Sequence, residues 1–245
     1  VGTSARMAAV LQSLHPARGD RGLIGSDPEV CARALGVDGV ALSLLSSDQA
    51  SELVWVSRDG VSGPLEDLQF TLGEGPGVDA VARGAVVLEP DLTRLPADRW
   101  PMLLPELASL GVGAVFCFPL LVGRVCLGAL TLQRRQVGPL SEAGMDDALI
   151  LTGALTAVLL DGGAASDALM ATERPSDLYR AAVHQATGMI SVQAEIPLAQ
   201  ALLRLRAYAY RHGRPILEAA EDVVARRLDF RNDGPEPDVA GRKRG

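Results

Sequence analysis

Gly113-Ala-Val-Phe-Cys-Phe-Pro-Leu-Leu-Val-Gly-Arg-Val-Cys-Leu-Gly-Ala-Leu-Thr-Leu-Gln133 is the stretch whose reading decides the fold. It divides into two β-rich runs, Gly113 to Leu121 and Arg124 to Gln133, turning at Val122-Gly123 in the manner of a tight hairpin. Neither run alternates apolar with polar residues. A strand that is apolar on both faces needs cover on both, so the sheet these strands join requires helices packed on each side. The expected architecture is an α+β sandwich with this hairpin at its centre.

Working outward, Gly39-Val-Ala-Leu-Ser-Leu-Leu and Glu52-Leu-Val-Trp-Val-Ser read as a second hairpin across a Ser-Ser-Asp-Gln turn. Ser4 to Leu14 and Pro28 to Leu35 repeat apolar residues at helical spacing, and Ser26-Asp27-Pro28 is a good helix start. Leu68 to Leu72 is expected as a strand, broken by Gly73-Glu-Gly-Pro-Gly before a short helix, Val78 to Arg83, and a return to strand at Ala85 to Leu88. A helix is expected around Trp100 to Leu110 and a long one over Pro139 to Leu160. Its run Ala148 to Leu160 is short of the roughly 20 apolar residues that cross a bilayer. Being apolar nearly all round, it needs burial by the domain or by a partner, and a homodimer contact is expected there.

The 245 residues carry a net charge of −7, too long for one small domain and too acidic for a general nucleic-acid binder. The charge is uneven. Residues 1–172 hold 11 Lys/Arg against 20 Asp/Glu, a net of −9, whereas 173–245 hold 12 against 10, a net of +2. Cys31, Cys117 and Cys126 form no C-x-x-C pair and no even framework, so neither a zinc site nor a disulfide scaffold is suggested. With no signal-peptide pattern, a cytoplasmic protein without a membrane partner is expected.

The last third reads as three short helices, 176–193, 197–212 and 215–228, separated by tight turns. On the second, Leu198, Ala201, Leu202, Leu205, Ala209 and His212 share one side, and Gln200, Arg204, Ala207 and Arg211 lie opposite. Ile196 to Arg214 contains four arginines and no acid, so this outer face has no partner on its own helix. It reads either as a solvated face or as a surface for phosphate. On the first helix Tyr179, Ala182, Val183, Ala186 and Ile190 form the inner stripe, with Arg180, His184, Gly188 and Ser191 outside. A mid-helix glycine such as Gly188 is costly, and one reason to keep it is the close approach of a ligand. Tyr208 borders the Arg204 side, where it either packs in the core or stacks on an unpaired base.

The order His184-Gln-Ala-Thr-Gly-Met, Ala201-Leu-Leu-Arg-Leu-Arg-Ala-Tyr-Ala and Glu218-Ala-Ala-Glu-Asp-Val-Val resembles the ANTAR domain. Ala186, Gly188 and Met189, then Ala201, Leu205, Arg206 and Ala209, then Ala220 match the family pattern in order and spacing. The resemblance implies a three-helix bundle that is not an enzyme, works as a dimer, binds paired stem-loops in nascent RNA and prevents a terminator from forming. The candidate RNA-binding residues are Arg180, His184, Ala186, Gly188, Met189, Arg204, Arg206, Tyr208 and Arg211. The region from Asp27 to Leu160, with Leu72-Gly-Glu-Gly-Pro-Gly-Val-Asp-Ala, is similar to a GAF domain, a small-ligand sensor. Gly77 stands where that group commonly has a cysteine, and no cyclic-nucleotide signature is present.

A ligand pocket is expected between the sheet and the loops at 73–79 and 91–100, lined by Trp55, Glu74, Asp79 and Trp100. Gly73, Gly75 and Gly77 read as a structural turn or as a weak anion cradle. No catalytic residue, metal site or cofactor is assigned. The expected organisation is an N-terminal helix and loop (1–26), a GAF-like sheet flanked by helices (27–160), a linker (161–172), an all-α ANTAR-like bundle (173–231) and a disordered tail (232–245). The alternative is a DNA-binding transcription regulator, since three short helices also build a helix-turn-helix.

Overall fold

In order along the chain, the first unit contains α1 (Ala5–Leu14), α2 (Pro28–Leu35), β1 (Gly39–Leu45), β2 (Ser51–Val56), α3 (Ser62–Leu72) and α4 (Pro76–Arg83). It continues with β3 (Val87–Glu89), a 3-10 turn (Leu92–Arg94), α5 (Leu103–Ser109), β4 (Ala114–Val122), β5 (Val125–Arg134) and α6 (Glu142–Leu160). The second holds α7 (Pro175–Ala194), α8 (Leu198–Arg211) and α9 (Ile216–Val224). This is a computed structural model that describes residues 4–14, 27–45, 51–160 and 175–231. The loop around Gly19 and Gly22, the turn at 46–49, the Gly162-Gly163 linker and the 232–245 tail lie outside the described residues. Internal packing divides the chain into Val1–Asp177 and Leu178–Gly245.

The sheet is antiparallel throughout, in the order β2-β1-β5-β4-β3. The central hairpin forms one residue later than the sequence suggests, pairing Val122 with Val125 across Gly123-Arg124, with Gly123 at φ 61°. Gly128 has its own reason: a Cβ there would sit 2.1 Å from the Ser43 carbonyl oxygen of the neighbouring strand. No larger residue lets β1 pair with β5 so closely.

Successive residues of β4 feed two separate cores. Ala114, Phe116, Phe118 and Leu120 pack with α1, α2 and α6 through residues such as Met7, Leu35, Leu151 and Leu155. Val115 and Cys117 face the other way, into Leu65, Ala80, Trp100, Leu103 and Leu107 of α3 to α5 and the preceding loop. That is the two-sided cover the continuous apolar runs demand. α1 is further tied to α6 by buried Asp147, whose carboxylate accepts hydrogen bonds from the Ser4 hydroxyl at 2.6 Å and its backbone N–H at 3.2 Å.

Two expectations need correction. Leu68 to Leu72 is the last part of α3, not a strand. Asp59 caps that helix by accepting from the N–H groups of Val61 (3.1 Å) and Ser62 (2.9 Å), and Leu65, Glu66, Gln69 and Phe70 are buried at helical spacing. Two of those buried residues are polar, which hid the period. Glu66 accepts from the Ser43 hydroxyl (2.6 Å) and from the Gln69 amide (2.9 Å), so neither side chain is buried without a partner. The expected long helix is Glu142–Leu160, but at 19 residues and mean hydropathy 1.5 it is long and apolar enough to cross a membrane, so the shortness of the Ala148 run excludes nothing. Here one face, including Ala148, Leu151 and Leu155, is buried against the sheet, while Leu149 and Leu160 stay exposed.

In the second unit the interior is rich in alanine: Ala186, Ala201, Ala209, Ala219 and Ala220 are buried with Val183, Ile190, Leu205, Ile216, Val223 and Phe230. Of the expected inner stripe of α8, Leu198 is 43% exposed, Leu202 is half-buried and His212 is exposed, so the true stripe is Ala201, Leu205 and Ala209. Short side chains narrow the strip of helix that contacts its neighbours.

Candidate functional site

The outer face of α8 carries Gln200, Arg204, Ala207 and Arg211, all exposed, together with Leu203 (64% exposed) and Tyr210 (66% exposed). Among the described residues no ion pair reaches Arg204 or Arg211. The other arginines differ. Arg214 donates to Asp222 at 2.7 Å and lies 3.6 Å from Glu218, while Arg227 takes the other side of the same Asp222 carboxylate at 2.7 Å. These bonds raise the Arg214 guanidinium and hold the Asp222 carboxyl below its ordinary value. α9 presents Glu218 and Glu221 outward, so the helix after α8 has the opposite sign.

The remaining RNA candidates do not share one surface. Ala186 is fully buried, in helical register with Val183 and Ile190, and so serves the bundle interior. Arg206 is half-buried, and loss of solvent pushes its guanidinium down to about 10. Tyr208 is half-buried, its ring stacked on His212 at 4.0 Å and edge-on to Phe230 at 5.6 Å, which takes up the surface expected to meet a base. His184 is half-buried too, and the side chain of Arg180 lies outside the described residues.

Gly188 and Met189 open onto a groove of about 670 Å³ that sequence reasoning missed. Gln185, Val192 and Gln193 of α7 form the rest of one wall; Arg226, Leu228, Asp229 and Arg231, after α9, form the other. The Gln193 amide oxygen accepts from the Phe230 backbone N–H at 3.2 Å, which holds the second wall in place. Arg226 sits at φ 58°, a left-handed conformation normally given to glycine after a helix. Nothing in the residue order Ala225-Arg226-Arg227 announces that turn, since its usual marker is glycine.

The expected sensor pocket is not assembled as a set. Trp55 belongs to the core under α1, α2 and α6, whereas Trp100 belongs to the core on the opposite face. Their positions on either side of the sheet exclude a shared cavity. Glu74 caps α5, accepting from the N–H groups of Met102 (2.7 Å) and Leu103 (2.8 Å). Asp79 pairs with Arg83 at 3.0 Å and lies 3.7 Å from Arg99. Arg99 also reaches Glu89 at 2.8 Å and lies 4.7 Å over the Trp100 ring. Glu74, Asp79 and Trp100 thus order the loops at one end of α3 to α5. The glycines act as a turn: Gly73 caps α3, Gly75 precedes α4 at φ 136°, and the Gly77 N–H is taken by the Gln69 side chain at 2.7 Å.

Cys117 is fully buried, and burial pushes its thiol well above the ordinary range; the Cys31 thiol is pushed up to about 12, chiefly for the same reason. Cys126 is half-buried and pairs across the hairpin with Leu121, while Cys117 pairs with Thr131. This arrangement offers no adjacent reactive thiols.

No family model matches the chain. It is 33% identical over 129 residues to the anaerobic nitric oxide reductase transcription regulator NorR of Citrobacter koseri, and 35% identical over 131 residues to that of Shigella flexneri. These stretches are 52% and 53% of this chain. Among solved structures it is similar to the GAF domain of an Acinetobacter phosphoenolpyruvate-protein phosphotransferase, with a TM-score of 0.48 and 18% identity over 64% of this chain and 91% of that one. The matched stretch is 24% of each curated relative, so the chain spans about a quarter of the length of the transcription regulators it resembles.

Proposed function

We propose that this chain is a cytoplasmic, signal-responsive regulator of transcription antitermination. Its GAF-like unit takes a small ligand and pairs two copies, and its ANTAR-like unit binds paired stem-loops in nascent RNA and disfavours the terminator. The observation that carries this reading is the α8 face, where Arg204 and Arg211 stand exposed and, among the described residues, no ion pair reaches them. Guanidinium groups of this kind suit phosphate, and binding through them releases counterions. The three motif blocks named above, in family order, support the same reading.

A DNA-binding regulator is the second reading, since the curated relatives are named as transcription regulators. Against it stands α9, whose outward Glu218 and Glu221 would be repelled by the phosphates flanking a major groove. Pairing of two copies through α6 is supported by its outward apolar strip of Leu149, Gly153, Ala157 and Leu160. The test is binding of a two-hairpin RNA, an unstructured RNA and duplex DNA across a salt series. Preference for the hairpins is expected, and equal affinity for duplex DNA would move the assignment to the alternative.

A further inference from the structure

Two residue choices in the second unit run against local folding preference, and both line the same groove. Gly188 stands in the middle of α7, where glycine is among the least favoured residues. A Cβ added there meets nothing within 4 Å, so no neighbouring backbone or side chain demands its smallness. Arg226 holds φ 58° just after α9, where glycine is the unstrained choice and a Cβ is disfavoured. Local strain is retained where a side chain or a space is used for something else.

What the groove offers is specific in kind. Met189, Val192 and Leu228 supply apolar surface, and Val192 is 80% exposed, so this surface is open to a ligand. The Gln185 amide stands beside it, a side-chain type that reads the edge of a purine through paired hydrogen bonds, and the Gln193 amide, whose oxygen holds the Phe230 N–H, offers its NH2. At the rim are Arg226 and Arg231; Arg231 shares its charge with Asp229 at 3.6 Å, leaving Arg226 as the main cation. An apolar slot with amide donors and acceptors and a cation at its edge matches a flat heterocycle joined to a phosphate.

We infer that this groove holds one unstacked base of an RNA loop, with the adjoining backbone phosphate on Arg226. The inference rests on the RNA-binding reading above and adds to the α8 face a second, base-contacting site. Gly188 leaves the floor open for the ring, and Arg226 accepts backbone strain to place its guanidinium.

The test uses the full chain and a two-hairpin RNA with 2-aminopurine in place of a loop purine, whose fluorescence reports unstacking and burial. Gly188→Leu fills the floor, and Arg226→Gly removes the cation. Each is expected to weaken binding about tenfold and to reduce the fluorescence change at saturation, with a Tm unchanged or raised because both substitutions relax the local backbone. Either variant binding within twofold of the parent refutes the groove while leaving RNA binding intact. Weaker binding with a lowered Tm also counts against it, since the loss then follows from folding. An unmodified chain that binds no hairpin RNA refutes both readings.

Discussion

Replacing Arg204 and Arg211 together by alanine separates a phosphate-binding surface from a merely solvated one. Both side chains are exposed and form no ion pair among the described residues, so their removal strands no buried carboxylate there and costs little stability. Each phosphate neutralised contributes about 0.7 to 0.9 to the dependence of log K on log salt, so two contacts contribute about 1.4 to 1.8. Between 50 and 200 mM salt that difference amounts to about 0.8 to 1.1 logarithmic units: the parent loses about seven- to twelvefold more affinity than the double variant. Fluorescence anisotropy of a labelled two-hairpin RNA at four or five salt concentrations measures it. Arg214→Ala is the control, because its guanidinium is occupied by Asp222 and Glu218. It should lower the Tm and leave the slope alone. A double variant with the parental slope refutes the α8 face, whatever its affinity at a single salt concentration.

Leu149→Glu places a charge on the outward face of α6 at a position already 49% exposed, so the fold should survive and a dimer should not. Sedimentation at micromolar concentration reads it, and a parent chain that is already monomeric removes the dimer altogether. Trp55→Phe and Trp100→Phe should each cost about 0.5 to 3 kcal/mol in urea unfolding and add to within about 0.5 kcal/mol, because the rings lie in different cores. A larger coupling would mean that the two faces are not independent. Cys126 should react with a disulfide reagent at pH 8, while Cys31 and Cys117 stay silent until the protein unfolds. Since folding raises the Cys31 thiol from 9.0 to about 12, its protonated form is the one the fold prefers. That contribution is complete below pH 9 and is lost as pH rises toward 12. Stability at pH 10 to 11 that improves in Cys31→Ala, relative to the parent's own decline from pH 8, tests the sign.

The sheet was legible because Gly113 to Gln133 is apolar at nearly every position, which admits a two-sided sheet more readily than any one-sided arrangement. Pro28 to Leu35 was readable to the residue through the Asp27 cap and the glycine that follows. Leu68 to Leu72 failed as a strand because Glu66 and Gln69 are buried polar residues satisfied by Ser43 and Gly77, partners distant in sequence. Trp55 and Trp100 share a ring type, and only packing, Trp55 with α1, α2 and α6 and Trp100 with α3 to α5, assigns them to opposite faces. The α8 arginines could be found by helical phase alone. Arg226 could not, because its left-handed turn is set by packing after α9 and its residue type argues against such a turn.

The second unit also keeps its exposed charges sorted by helix, with Arg204 and Arg211 on α8 and Glu218 and Glu221 on α9. Such sorting matters before any contact is made. Within about a Debye length, some 8 to 10 Å at physiological salt, a polyanion exerts a torque on the unit, drawing one helix forward and pushing the other back. A rotating body that is turned during approach wastes fewer collisions, so the sorting acts on the association rate. Exchanging the signs, with glutamate at 204 and arginine at 218, would keep the net charge of the unit and present the wrong side first.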